Sequence, residues 1–445
     1  ISDSESDWQE IARCGGIPIL LQQTRQSPEH ADMAFEMLVK ACSEPECQEQ
    51  LASCGIDELI SFVTSDSTNK SRAMRCLRIV VQNTSDVDVH LSSLRFFDIM
   101  KQLLSGEEKQ TCMDALQLLA SLSSRVEQFQ ELIWSGGIFP LLQDMCSNAR
   151  DLGWSKAAQD WQFEAGPHDQ GEGLQAALLH LIHSGKQQTG YGEKLHEYQL
   201  LGFFVDVISS GSNSVIANSA KETACEVLWI TMEQSKKSRE DFFELDGIAA
   251  LVKLLITGES KCKMFAAAAL RTSCLDCPKN REACFKESAI QTLFGYMEFE
   301  LVSLSAASDA LDSAVVDADS GLPTSNRKAS VSDNARMEVS WAGVEHALAA
   351  VNNACCANKA NCEAVHKING IMLLTKLTSY SHGPKVREFA TLAIVNACSN
   401  NARFSAGPWV AAAKQALTVL QNDVLATENS RKFAIAAMKL VSLHS

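Results

Sequence analysis

This chain of 445 residues repeats itself about every 40 residues, and nothing else in the sequence constrains its fold as strongly. The segment Gly15-Gly16-Ile17-Pro18-Ile19-Leu20-Leu21 returns as Cys54-Gly55-Ile56-Asp57-Glu58-Leu59-Ile60 and as Gly136-Gly137-Ile138-Phe139-Pro140-Leu141-Leu142. It returns again as Asp246-Gly247-Ile248-Ala249-Ala250-Leu251-Val252 and as Asn369-Gly370-Ile371-Met372-Leu373-Leu374. Weaker copies start near Phe96, Phe203, Ile290 and Val410. The first apolar residues of the copies fall at 17, 56, 96, 138, 203, 248, 290, 371 and 410, with most steps between 39 and 45 and two of 65 and 81. A unit this short cannot bury its own apolar faces, so neighbours must stack.

Each full copy has one internal grammar. A short helix ends at a glycine, whose backbone freedom turns the chain into a second helix. That helix carries apolar residues at helical spacing, as in Ile248, Leu251, Val252 and Leu255. After a polar turn such as Thr257-Gly258-Glu259-Ser260 comes a longer third helix rich in Ala and Leu, here Met264 to Leu275. No alternating β-branched stretch interrupts this, so the expected class is all-α. Two stretches break the array. Residues 147–199 carry Gly-, Gln- and His-containing sequence, although Leu174 to Ile182 reads as the third helix of the interrupted repeat. Residues 303–340 are rich in Ser, Ala and Asp and read as a mobile loop. The expected organisation is repeats over 1–146, 200–302 and 341–445, divided by these two insertions.

The glycine-isoleucine opening, the period and the closing Ala393-Ile394-Val395-Asn396 resemble the armadillo family. HEAT repeats are the structural alternative, but they usually lack this glycine. The armadillo resemblance implies a right-handed α-solenoid of about nine repeats whose third helices line a concave groove. In armadillo proteins that bind extended peptides, an Asn on each third helix hydrogen-bonds the peptide backbone, and Asn353 and Asn396 stand at that position. The same phase holds Lys40 and Thr272 upstream, and the Trp that accompanies such Asn residues in import adaptors is absent beside both. An inter-repeat hydrogen bond is the other role open to the two asparagines.

Composition narrows the partners. A formal charge of -15 and a pI near 5.2 disfavour a nucleic-acid backbone. The longest apolar run, Met264 to Leu270, is far short of the roughly 20 residues that span a bilayer. With 46% hydrophobic residues the chain has enough apolar material for a core. The expected location is intracellular, in cytoplasm, with cytoskeletal, ciliary or nuclear sites as variants. The acidity is uneven: residues 1–7 contribute -3, 151–200 contribute -4 and 303–340 contribute -3, which leaves -5 for the rest.

The sixteen cysteines are too sparse for a disulfide-stapled domain and read as reduced thiols. Four recur at one phase, Cys42, Cys274, Cys355 and Cys398, where a small apolar side chain fits a packed position. Cys274 and Cys277 form a CxxC with Cys262 and Cys284 nearby, but the outer spacings match no zinc motif.

Further candidate contacts are Arg72, Arg75 and Arg78, whose spacings, with Lys70, place several of them on one side of a helix, where they would receive an acidic peptide or form a solvated face. Trp154 and Trp161 in the first insertion either pin it to the repeats or dock a partner. Trp229, among apolar neighbours, is expected in the core. Arg327-Lys328-Ala329-Ser330-Val331 resembles a basophilic kinase site at Ser330. Asp317 to Gly321 begins like a calcium loop, yet the twelfth position is Lys328 where a carboxylate is required. His180 and His183, with His168 and His196 nearby, read as helix surface. No phosphate loop, nucleophile elbow or metalloprotease helix is found in its required context, and no cofactor is expected. The expected function is a non-catalytic scaffold or adaptor binding protein or extended peptide. The alternatives are a structural subunit of a large cytoskeletal or ciliary assembly, and a regulator of a small GTPase or a chaperone cofactor.

Overall fold

The computed structural model describes residues 10–11, 13–26, 28–42, 44–65, 69–83, 94–106, 108–123, 127–152, 170–212, 214–318, 331–378, 384–399, 409–423 and 426–442. All secondary structure among them is helical. The chain forms two compact units, Ile1–Tyr191 and Gly192–Ser445.

In the first unit the helices are α1 (Gly16–Gln23), α2 (Pro28–Ala41), α3 (Pro45–Cys54), α4 (Ile56–Thr64), α5 (Lys70–Asn83), α6 (Leu94–Leu104), α7 (Lys109–Ser123), α8 (Glu127–Ser135), α9 (Phe139–Leu152) and α10 (Gln170–Ser184). Helix α11 (Tyr191–Glu197) opens the second unit. It is followed by α12 (Leu201–Ser209), α13 (Val215–Gln234), α14 (Lys236–Glu244), α15 (Gly247–Thr257), α16 (Ser260–Ser273), α17 (Pro278–Lys286) and α18 (Ala289–Ala318). The last six are α19 (Val331–Cys355), α20 (Lys359–Lys367), α21 (Gly370–Thr378), α22 (Pro384–Ser399), α23 (Trp409–Asn422) and α24 (Glu428–Ser442).

Most repeats read as first, second and third helix, as in α14, α15 and α16. Third helices pack on third helices: α2 on α5, α5 on α7 and α7 on α10 in the first unit, and α13, α16, α19, α22 and α24 in succession in the second. First helices α14, α17 and α20 form a parallel ladder, and second helices α12, α15 and α18 another. The apolar stripe of each second helix lies inside its repeat, with Ile248, Leu251, Val252 and Leu255 all buried.

The glycine-isoleucine opening is a corner with two separate demands. The residue that ends the first helix is left-handed: Gly15 has φ 73°, Asp246 54° and Asn369 56°. Asp and Asn tolerate that region, so glycine is not required there. The following residue needs to lack a Cβ, because one added at Gly247 would lie 2.2 Å from the Phe242 ring and one at Gly370 2.7 Å from Phe294.

The described parts of both stretches expected to be irregular contain helix. The Ser/Ala/Asp-rich segment, expected as a mobile loop over 303–340, is helical up to Ala318 and again from Val331, so that α18 and α19 are unusually long and pack on each other. Alanine-rich sequence without Gly or Pro favours helix even when it is hydrophilic; Gly321 and Pro323 lie outside the described residues. In 147–199, α9 continues to Leu152 and α10 begins at Gln170. Leu174, Leu178, Leu181 and Ile182 are buried in α10, which packs on α7 as a third helix would.

Candidate functional site

Third helices carry the polar and aromatic groups that distinguish one repeat from the next, and those of the second unit form the fullest constellation. Trp229 on α13, expected in the core, is only half-buried. Its ring lies 6.3 Å from Phe265 of α16 and 5.2 Å from His346 of α19, edge to face with the imidazole. The Arg271 guanidinium of α16 sits 5.7 Å from the Trp229 ring centroid and pairs with Glu233 at 3.2 Å. The indole N–H of Trp229 and Nδ1 of His346 have no hydrogen-bond partner among the described residues. Burial, with the positive charges of Arg271 and Lys385, holds the His346 imidazole down at about 4, so it is neutral at physiological pH.

Beside this cluster runs a relay of carboxamides. Asn396 of α22 donates to Oδ1 of Asn352 at 2.7 Å and Asn352 donates to Oδ1 of Asn353 at 3.2 Å, both on α19. Asn353 then donates to the Arg271 carbonyl at 2.9 Å. Both predicted asparagines therefore make inter-repeat hydrogen bonds, joining α22 to α19 and α19 to α16. The relay uses one N–H of Asn353 and leaves Oδ1 of Asn396 unbonded within the described residues.

The predicted arginines lie on α5 in the first unit, and their groups are engaged within the chain. Arg72 pairs with Asp32 of α2 at 2.6 Å and with Asn69, and Arg75 lies 3.6 Å from the carboxylate of Asp114 on α7. Asp114 is buried and also accepts from Ser71 and Gln110. Burial raises its carboxyl above the usual range, and Arg75 and Arg78 oppose that rise. Arg78 is half-buried and interacts within the chain. Trp154, Trp161 and Ser330 lie outside the described residues.

A second set of polar residues went unread in the sequence. Three or four residues into a first helix, a buried or half-buried side chain reaches back to the end of the preceding third helix. Gln48 donates to the Cys42 carbonyl at 2.6 Å, Gln130 to Ser123 at 2.9 Å, Asn280 to Ser273 at 2.8 Å and Asn361 to Ala354 at 2.9 Å; Arg239 does the same to Met232. Asn280 and Asn361 use their second N–H on the previous first helix, at the carbonyls of Arg239 and Arg281, each at 2.7 Å. These clamps satisfy carbonyls that a helix end leaves unpaired. The signal available was the fixed step of six or seven residues from the end of each third helix to a polar side chain in an otherwise apolar phase.

No family model matches this chain, and no curated protein matches it. Among solved structures, an engineered protein aligns with 98% of this chain and 91% of its own length at 15% identity, with a TM-score of 0.65. Two designed armadillo repeat proteins align with 68% of the chain, each at 17% identity, covering 100% and 99% of their own lengths with TM-scores of 0.46 and 0.47. The second of these is in complex with the peptide (KR)4. Three helices per repeat, a left-handed corner between the first two and stacked third helices decide the architecture. The fold is armadillo-like. Within it, no helix among the described residues is long and apolar enough to cross a membrane, and no group of three or more His, Cys, Asp or Glu is arranged to hold a metal ion.

Proposed function

We propose that this chain is a non-catalytic, cofactor-free intracellular scaffold that captures a protein partner in extended form along α13, α16, α19 and α22. The observation that carries this reading is the half-buried Trp229, set among Phe265, Arg271 and His346 on three successive third helices and continuous with the Asn353–Asn352–Asn396 relay. An extended segment brings unpaired N–H and C=O groups and side chains on alternate faces. The carboxamides retain donors and an acceptor for the first, and the aromatic cluster offers apolar area for the second. An acidic segment docking on the first unit would have to displace Asp32 and Asp114 from Arg72 and Arg75, so the second unit is the favoured face.

Affinity capture from the native source tests this. Trp229→Ala with Asn353→Ala and Asn396→Ala is expected to lose the captured partner while helical content is kept; undiminished capture would sink the reading.

The assembly-subunit reading is favoured by a different feature. Second helices of the second unit expose Ile256, Phe299, Val302, Met372 and Val419, between 44% and 68% accessible. Two of them, Met372 and Val419, line a groove of about 650 Å3 with Glu298, Leu373, Lys376 and Gln415, and Ile256 and Phe299 line a second, separate groove. If Phe299→Asp with Val419→Asp releases the partner and the third-helix variant does not, the chain is held by its second helices.

A further inference from the structure

The third-helix phase that carries Cys42, Cys274, Cys355 and Cys398 is buried throughout, and all sixteen cysteines are free thiols. At one corner two of them meet. Cys274 caps the C-terminus of α16, Cys284 lies in α17, and their sulfurs are 3.4 Å apart. A disulfide bond is about 2.05 Å long, so closing it needs the sulfurs to approach by roughly 1.4 Å. Both residues are 1–2% exposed, which limits access to a small reagent admitted by local opening.

The two thiols are also unequal. The two sulfurs share a hydrogen bond in which either can donate, the Ser273 hydroxyl approaches Cys274 Sγ at 3.9 Å, and Arg281 bonds the Cys274 carbonyl at 2.9 Å and brings its charge beside it. These contacts hold the Cys274 thiol below its ordinary range in spite of burial. The same hydrogen bond, together with burial, pushes Cys284 up, so it keeps its proton. At Cys225, and at Cys262 to about 12, burial dominates and raises the thiol, whereas Cys76 and Cys355 are raised first by hydrogen bonds to Cys42 and Cys362 and then by burial.

We propose that Cys274 and Cys284 form an oxidisable dithiol, a modification site at which hydrogen peroxide or a comparably small hydroperoxide converts two thiols into one disulfide. The Cys274 thiolate attacks a peroxide oxygen, the O–O bond breaks, and the departing hydroxide takes up a proton as water, leaving a sulfenic acid. The Cys284 sulfur then attacks the Cys274 sulfur. The S–O bond breaks, hydroxide leaves with the Cys284 proton as a second water, and the S–S bond forms. Two electrons pass from the two sulfurs to the peroxide. The inference is independent of the partner-binding reading.

The test uses the full chain with hydrogen peroxide, alkylation of remaining thiols, and peptide mapping without reductant. The expected result is an intact mass lower by two hydrogen atoms, restored by dithiothreitol, with the link joining the peptides that hold Cys274 and Cys284. In Cys284→Ser the second step is blocked, and a sulfenic acid at Cys274 should be trapped by a cyclic 1,3-dione. If both cysteines stay alkylatable while exposed Cys14 and Cys54 are oxidised, or if the link joins other residues, the proposal is overturned. The wild-type mapping decides the matter even where the variant folds poorly.

Discussion

Neighbouring third helices of the first unit are joined by charges, whereas those of the second add carboxamides and rings to ion pairs such as Arg271–Glu233 and Lys385–Glu345. Arg72–Asp32 and Arg75–Asp114 link α2, α5 and α7; Asn396, Asn352 and Asn353 link α22, α19 and α16, and Trp229, Phe265 and His346 link α13, α16 and α19. The same architecture thus presents two chemistries. Ion pairs have discharged one another and respond to salt, while amides and half-covered rings keep donors, acceptors and apolar area that an extended partner uses. The arginines that looked available in sequence are paired within the chain, and the tryptophan that looked like core is half-buried.

The sharpest way to break this comparison is at the second unit's clamps. Asn280→Ala removes the amide donor from the Ser273 and Arg239 carbonyls, the second of which keeps a weak bond from the Cys277 thiol, and the expected loss is about 3–4 kcal/mol, at about 1–3 kcal/mol for each carbonyl that loses it. Denaturant titration with hydrogen exchange over α13–α20 would localise it. A loss confined to a few tenths would mean that water replaces the amide.

Acid should separate the two units almost as strongly. His346 is held at about 4 in the fold against 6.5 for a free histidine, so the fold prefers its neutral form. That preference is fully present above about pH 6.5 and is lost as pH falls toward 4, costing the second unit about 3 kcal/mol. His346→Phe should remove this part of the acid sensitivity, read by exchange at α19 between those two pH values. Asp114 acts in the opposite sense. Its raised carboxyl means that the fold favours protonation more than the unfolded chain does, so its cost is present above its folded pKa and relieved as pH falls toward 3.8. Arg75→Met should deepen that cost, by about 1–2 kcal/mol at neutral pH and less in acid, seen as a pH-dependent shift in the first unit's unfolding midpoint. Smallest is Arg72→Ala, where an ion pair with one third to one half of each side chain exposed should contribute about 0.5 kcal/mol or less, vanishing in high salt.

The fold was largely legible because its period, its corner glycines and its third-helix cysteines are all local to one repeat. Leu174 to Ile182 was recognisable as a third helix for the same reason, even inside an irregular stretch. Ser303 to Ala318 was misread because polarity resembles loop composition, whereas alanine content and the absence of Gly and Pro decided for helix. The candidate site was much less legible. Asn353 and Asn396 were found by phase, but Trp229, Arg271 and His346 come from three different repeats and meet only when α13, α16 and α19 stack. Trp229 looked like core because its sequence neighbours are apolar, and sequence neighbours say nothing about what the next repeat leaves uncovered.

The sequence by itself determined the all-helical class, the period and the corners, since these depend on spacing and backbone preference within some 40 residues. Only the tertiary structure decided which arginines are spent on Asp32 and Asp114, which asparagines join neighbouring repeats, and that Cys274 faces Cys284 at 3.4 Å. Those outcomes depend on distances between side chains on separate helices, set by stacking rather than by any spacing along the chain.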